Sequence, residues 1–80
     1  MAIRLVFLGR LKDAAGAAER LVAVTGSLAA IMAGLDPDLA EVLSGERIKL
    51  ALNGTLVSDR AGLLVKDGDE LAFLPPVSGG

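Results

Sequence analysis

Side chains able to carry chemistry are scarce in this 80-residue sequence. It has no His, Cys, Tyr or Trp, so the usual general bases, soft nucleophiles and metal ligands are largely missing. Ser58, beside Asp59, and Ser78 have no histidine to activate them, and nucleophilic serine catalysis is unsupported. Asp67, Asp69 and Glu70 cluster around Gly68, but the run lacks the length of a Ca²⁺ loop and reads as a solvated hairpin turn, not a metal site. No G-x-G-x-x-G and no Gly-Lys-Ser/Thr is present, which excludes a dinucleotide fingerprint and a P-loop. The best remaining candidate for covalent chemistry is the carboxylate expected at Gly80.

The residues leading to Gly80 suit presentation of a chain end. In Leu71-Ala72-Phe73-Leu74-Pro75-Pro76-Val77-Ser78-Gly79-Gly80 an apolar strand runs into a diproline and stops on two glycines. Pro75 and Pro76 fix φ and donate no backbone N–H, so they end sheet pairing and are expected to send the chain outward as a stiff spacer. Gly79 and Gly80 lack a Cβ and can thread a narrow channel. A glycine pair alone also fits a plain frayed end; the rigid lead-in is what such an end does not need.

The elements that must hold this tail can be read along the chain. Ile3, Leu5 and Phe7 alternate with Arg4, Val6 and Leu8, a half-buried strand with the first set inward. Leu11 to Ala15 predicts a helical turn stopped by Gly16, and Arg20 to Val24 a second strand, antiparallel to the first, whose inward parity periodicity does not decide. Ser27 predicts an N-cap for a helix with Leu28, Ile31, Met32 and Leu35 on one stripe. Asp36-Pro37 predicts the cap and first residue of another helix, with Leu39, Val42 and Leu43 on its apolar side, ending at Ser44-Gly45.

Ile48, Leu50 and Leu52 then form the inward set of a third strand. Asn53-Gly54 is the strongest hairpin signal in the chain, with Thr55-Leu56-Val57 returning. Asp59 to Lys66 reads as an irregular link whose Leu63 and Leu64 tuck under the sheet. Asp67-Gly68 turns into the last strand, Glu70 to Leu74, with Leu71 and Phe73 inward. The order of elements predicts an α+β domain over residues 1–74, with helices on one face of the sheet, and an extended tail over 75–80. The opposite face is left open and carries Val6, Leu8, Ala72 and Leu74, an apolar patch suited to a protein partner.

Composition bounds the rest. Eighty residues make one domain, of a size that buries about 60% of its unfolded surface. Hydrophobic residues make up 52% of the chain, and only Phe7 and Phe73 are aromatic, so the core is built from Leu, Val, Ile and Ala. A net charge of -2 offers no footprint for nucleic acid. The apolar stretch from Leu5 to Leu8 is too brief for a secretory signal, and the uncharged run from Leu21 to Leu35 is too short and broken to span a bilayer. The expectation is a cytoplasmic protein with no membrane partner.

Taken together, these stretches resemble the MoaD/ThiS-like sulfur carriers, and within them the small subunit of molybdopterin synthase. The likeness runs from Ile3-Arg4-Leu5-Val6-Phe7-Leu8 through the Asn53-Gly54 hairpin and Asp67-Gly68-Asp69-Glu70 to Pro75-Pro76-Val77-Ser78-Gly79-Gly80. Gly-Gly is shared with thiazole-pathway carriers and ubiquitin-like modifiers, whereas the diproline points to the molybdopterin branch.

The resemblance implies a ubiquitin-like β-grasp fold with a mixed sheet. It implies that an E1-like adenylating enzyme activates Gly80 with ATP, that a sulfur donor turns it into a thiocarboxylate, and that the large synthase subunit receives Pro75, Pro76, Val77, Ser78 and Gly79 in a channel. There the sulfur reaches cyclic pyranopterin monophosphate, in a hetero-oligomer taken as a heterotetramer. No cofactor is bound by this chain in that scheme. The resemblance also sets Leu8, Leu74, Val6, Ala72 and Lys12 against the partners. Relatives often carry phenylalanine where this sequence has Leu8 and Leu74, and leucine offers less contact area. A carrier for thiazole or another sulfur metabolite, a protein modifier joined to lysines, and a passive ubiquitin-like interaction module are the other readings.

Overall fold

Alternation decides the sheet. In β1 (Ile3–Phe7) the odd residues Ile3, Leu5 and Phe7 are buried to within 1% of complete while Arg4 is exposed, the period of two expected of a strand with one wet face. The computed structural model describes residues 2–76. β1 is followed by α1 (Leu11–Ala15), β2 (Glu19–Val22), β3 (Gly26–Ser27), α2 (Leu28–Ala33), α3 (Pro37–Leu43), β4 (Lys49–Leu52), β5 (Thr55–Leu56), β6 (Leu64–Val65) and β7 (Glu70–Leu74).

Five strands form a mixed sheet in the order β2-β1-β7-β4-β5. β1 runs antiparallel to β2 and parallel to β7, and β7 runs antiparallel to β4. The last strand is therefore central, bonded on both sides. Its Leu71 and Phe73 meet Ile3, Leu5, Phe7 and Leu50 in a core closed by Leu11, Ile31, Leu35, Leu39 and Leu43 from the helices. Burial of this set, worth roughly 1.5–3 kcal/mol per large apolar side chain, holds the helices to one face.

Local chemistry sets the boundaries. Gly16 stops α1 in the left-handed region at φ 78°, with its N–H donating to the Lys12 carbonyl. The Ser27 hydroxyl accepts from the Ala30 N–H at 3.2 Å, the cap expected for α2. Asn53 at φ 50° and Gly54 at φ 87° make the tight turn between β4 and β5, as two successive positive-φ residues do in twisted hairpins.

Several expectations are corrected. β2 begins at Glu19 and ends at Val22, and Val22 and Val24 are the residues that pack on the core, while Leu21 is exposed. Asp36 occupies the cap position of α3 without a side-chain cap bond, so Pro37 alone marks that start. Val42 is 44% exposed, because α3 covers the core through Leu39 and Leu43 and turns Val42 to its flank. The link from Asp59 to Lys66 is not wholly irregular: β6 pairs antiparallel with β3, Ser27 opposite Leu64 and Gly26 opposite Val65. Strand alternation then buries Leu63 and Val65 and leaves Leu64 exposed. Arg60 ties this link down, donating to the Ile48 carbonyl at 2.8 Å and the Gly45 carbonyl at 3.3 Å.

Candidate functional site

The expected site has two parts, the tail and the open sheet face. Of the tail, Pro75 and Pro76 are described; Val77, Ser78, Gly79 and Gly80 lie outside the described residues. The tail leaves from the end of β7, where the Leu8 N–H donates to the Phe73 carbonyl at 3.1 Å. The first two residues of the tail, Pro75 and Pro76, still touch the domain from which it leaves. Both are half-buried. Gly9, at φ +55°, lies so close that a Cβ added to it would meet Pro75 Cγ at 2.9 Å, and Pro76 forms part of the wall of a cavity beside α1 and α3. The prolines end the ladder, but apolar contact keeps them on the surface of the domain.

Register places the open face. Val6 stands opposite Ala72, Ala72 opposite Ala51, and Ala51 opposite Leu56. Residues directly opposite in adjacent strands share a face, so Val6, Ala72, Ala51 and Leu56 form one apolar row across four strands. Leu74, opposite Lys49, lies in the next row toward the tail, with Leu8 one step past β1 on the same side. Leu8 is 41% exposed, while Val6, Ala72 and Leu74 are half-buried by their neighbours. The far end of the face is charged. Arg4 lies between Glu19 and Glu70, at 3.3 and 3.6 Å, exposed contacts that contribute little to stability.

Two exposed leucines of this face were not among the expected interface residues. Leu56 is 68% and Leu21 69% exposed. The two-residue Asn53-Gly54 loop carries the signal for Leu56: it fixes Thr55 opposite Leu52, and hence Leu56 opposite Ala51 on the outer side. Leu21 lies opposite Arg4, at the charged end. Lys12 is not brought to the apolar rows. It is exposed on α1, where it shares a shallow recess with Asp13, Gly16, Ala17 and Ala18.

The acidic turn has a structural task. Asp69 accepts from the Lys66 backbone N–H at 2.9 Å and from the Asn53 side-chain amide at 3.0 Å, while Asn53 Oδ1 accepts from the Glu70 N–H at 2.9 Å. The Lys66 N–H first, and the Asn53 amide second, hold the Asp69 carboxyl below the usual carboxylate range. The bonds join the hairpin turn to the start of β7.

Among the described residues, then, no arrangement of nucleophile and base assembles, and no polar or charged residue is buried. No described helix is long and apolar enough to cross a membrane. What the domain offers is an apolar face beside the root of its C-terminal segment.

Comparison with known proteins sets this arrangement in context. The ThiS family profile matches residues 5–80. The crystal structure of SAMP1 from Haloferax volcanii is similar at 28% identity over all of both chains, with a TM-score of 0.76. The solution structure of the small archaeal modifier protein 1 from Methanosarcina acetivorans is similar at 26% identity over 99% of this chain and 96% of that one, with a TM-score of 0.78. A chain in the complex of subunits 1 and 2 of molybdopterin-converting factor from Helicobacter pylori is similar at 30% identity over all of both chains, with a TM-score of 0.72. No curated protein matches this chain. The mixed sheet with its helix layer is the ubiquitin-like β-grasp fold.

Proposed function

Because the chain belongs to the ThiS family, we propose that it is a sulfur carrier, the small subunit of a molybdopterin synthase, with Gly80 as its reactive residue. The chemistry needs little from the domain itself. A carboxylate is a poor electrophile, so an adenylating partner joins the Gly80 carboxylate to the α-phosphorus of ATP and pyrophosphate leaves. A sulfur donor then attacks the acyl carbon, AMP departs, and a thiocarboxylate remains. Its sulfur is passed to cyclic pyranopterin monophosphate in a large subunit, which supplies the residues for binding that substrate. ATP is held by the adenylating enzyme, and the chain works in the cytoplasm.

The observation that carries this reading is the end-to-end likeness to a chain of the molybdopterin-converting factor complex, at 30% identity, in a protein whose last strand enters Pro75-Pro76. That relative is a protein-protein complex of two subunits, which supports a hetero-oligomeric partner here, docked on Val6, Leu8, Ala72 and Leu74. Lys12, exposed on α1 and away from those rows, would meet a partner only at a separate contact. A second reading, protein modification through Gly80, is favoured by the similar likeness to the small archaeal modifier proteins.

Intact mass after incubation with ATP, an adenylating partner and a sulfide source tests the proposal. A thiocarboxylate adds about 16 Da at the terminus, and the loaded chain supplied with a large synthase subunit converts the pterin. No gain in mass under conditions that load a control carrier overturns the proposal. Isopeptide-linked Gly-Gly remnants on lysines of other proteins, with no pterin conversion, favour the modifier.

A further inference from the structure

Charge is divided between the two ends of β7. At its start Glu19, Asp67, Asp69 and Glu70 gather around Arg4 and Lys66, four carboxylates against two cations. At its finish the sign is reversed. Lys49 stands opposite Leu74, the residue before Pro75, and Arg10 follows Gly9, against which Pro75 packs. Arg10 and Arg47 both line the cavity that Pro76 helps to wall. All three cations are exposed. We propose that Arg10, Arg47 and Lys49 form a basic collar around Pro75-Pro76 that docks an acidic surface of a protein partner, beside the apolar contacts of Leu8 and Leu74.

Three observations support that partner. Among the described residues none of the three cations makes a side-chain hydrogen bond or salt bridge, whereas Arg4 is paired and Arg20 and Arg60 donate to backbone carbonyls. The collar's charge is thus left for another molecule. Glu46 is the only acidic group among the described residues that line the cavity, so positive charge is in excess here although the chain as a whole carries -2. The carboxylates at the start of β7 lie roughly 14 Å away along the strand, beyond the screening length of about 8 Å at physiological salt, and do not cancel it. Finally, Leu8 and Leu74 adjoin the collar on the open face. Apolar contacts with charge at their rim are the make-up of a protein interface, while single-stranded nucleic acid stacks on exposed aromatic rings, and Phe7 and Phe73 are both buried.

This inference rests on the proposed docking of a partner on the open face and adds the chemistry of that partner, aspartates and glutamates set against the Pro75-Pro76 end. Exposed charges at the rim of an interface act mainly on encounter: they raise the association rate and fix orientation more than they hold the finished complex together. The reversal of sign along β7 therefore sets which way round the partner lands. A partner turned end for end would bring its carboxylates against Glu19 and Glu70.

The test measures association of the whole chain with a large synthase subunit by stopped flow, at low ionic strength and at about 0.5 M salt. In R10Q/R47Q/K49Q the association rate constant is expected to fall about tenfold or more at low salt, with the deficit shrinking to under about two-fold at high salt. R10K/R47K/K49R is expected to keep the wild-type rate, and so is R4Q/E70Q, which removes one charge of each sign at the other end of the sheet. Equal rates for wild type and R10Q/R47Q/K49Q, a deficit that salt leaves unchanged, or an equal deficit in R4Q/E70Q would each overturn the collar while leaving the docking reading in place. Inorganic tripolyphosphate bound as tightly as the subunit would make the collar a site for small anions and overturn it too. A wild-type chain that does not bind the subunit at all would instead overturn the docking reading, and the collar with it.

Discussion

Phe7 and Phe73 stack with ring centroids 5.7 Å apart and planes 9° from parallel, as register partners on the parallel strands β1 and β7. They are the only aromatic residues in the chain, and at 1% and 0% exposure both are sealed in the core. The pair sits two residues before the tail on β7 and one before Leu8 on β1, so it joins the core to the root of the C-terminal segment.

Phe73→Ala is expected to cost about 3–5 kcal/mol, a large part of the roughly 5–15 kcal/mol available to a small domain. Urea unfolding followed by far-UV circular dichroism checks it. A loss below about 1 kcal/mol would mean that the pair is not central to the core.

Gly9 and Gly16 both have positive φ, but only Gly9 has a neighbour that a Cβ would strike. Gly16→Asn is therefore expected to be milder than Gly16→Ala, since asparagine tolerates the left-handed region better. At Gly9 both substitutions meet Pro75, so Asn gives little relief, and each costs about 1–2 kcal/mol or more. The four variants compared by thermal unfolding, together with the Pro75 resonances, decide whether the close approach or the dihedral angle dominates.

Asp69 makes stability depend on pH on the acid side. Its folded carboxyl titrates below the unfolded one because the Lys66 N–H and then the Asn53 amide favour the charged form. The unfolded chain thus takes up the proton first as pH falls, and the stabilisation present above the unfolded value is lost on passing down through the folded one. Asp69→Asn is expected to lower the urea midpoint at pH 7, with the gap to wild type narrowing in acid. A gap that is unchanged between pH 7 and pH 2.5 would contradict this.

Leu8→Glu and Leu56→Glu are expected to leave folding within about 0.5 kcal/mol of wild type, because Leu56 is 68% and Leu8 41% exposed and neither belongs to the buried core. Each is expected to weaken binding of a large synthase subunit about tenfold or more, near 1.4 kcal/mol, measured by calorimetric titration. Leu64→Glu is the control. It is as exposed as Leu56 but lies on β6, outside the five-stranded sheet, and should bind normally.

Much of this architecture is legible in the sequence because local patterns are strong where one face is wet. Ile3-Leu5-Phe7, Leu71-Phe73 and Asn53-Gly54 specify side-chain direction and turn type with no tertiary information. The β3–β6 pair is not legible in that way: two residues per strand give no period, and Gly26-Ser27 reads as a helix cap. The inward parity of β2 likewise depends on its register with β1. For the site, the outward positions of Val6, Leu8, Ala72 and Leu74 follow from alternation alone. The seat of Pro75 on Gly9 does not, because proline chemistry ends a ladder without saying what lies beside it.

The parallel alignment of β7 with β1, together with its second ladder to β4, bears on mechanical load. A partner that grips the C-terminal segment and pulls along the strand must shear two rows of backbone bonds together, since those bonds run across the pulling direction. Had the tail followed an outer strand such as β5, with one ladder only, the same tug would meet a single row. The placement makes the domain a sturdy handle, able to stay folded when its C-terminal segment is pulled.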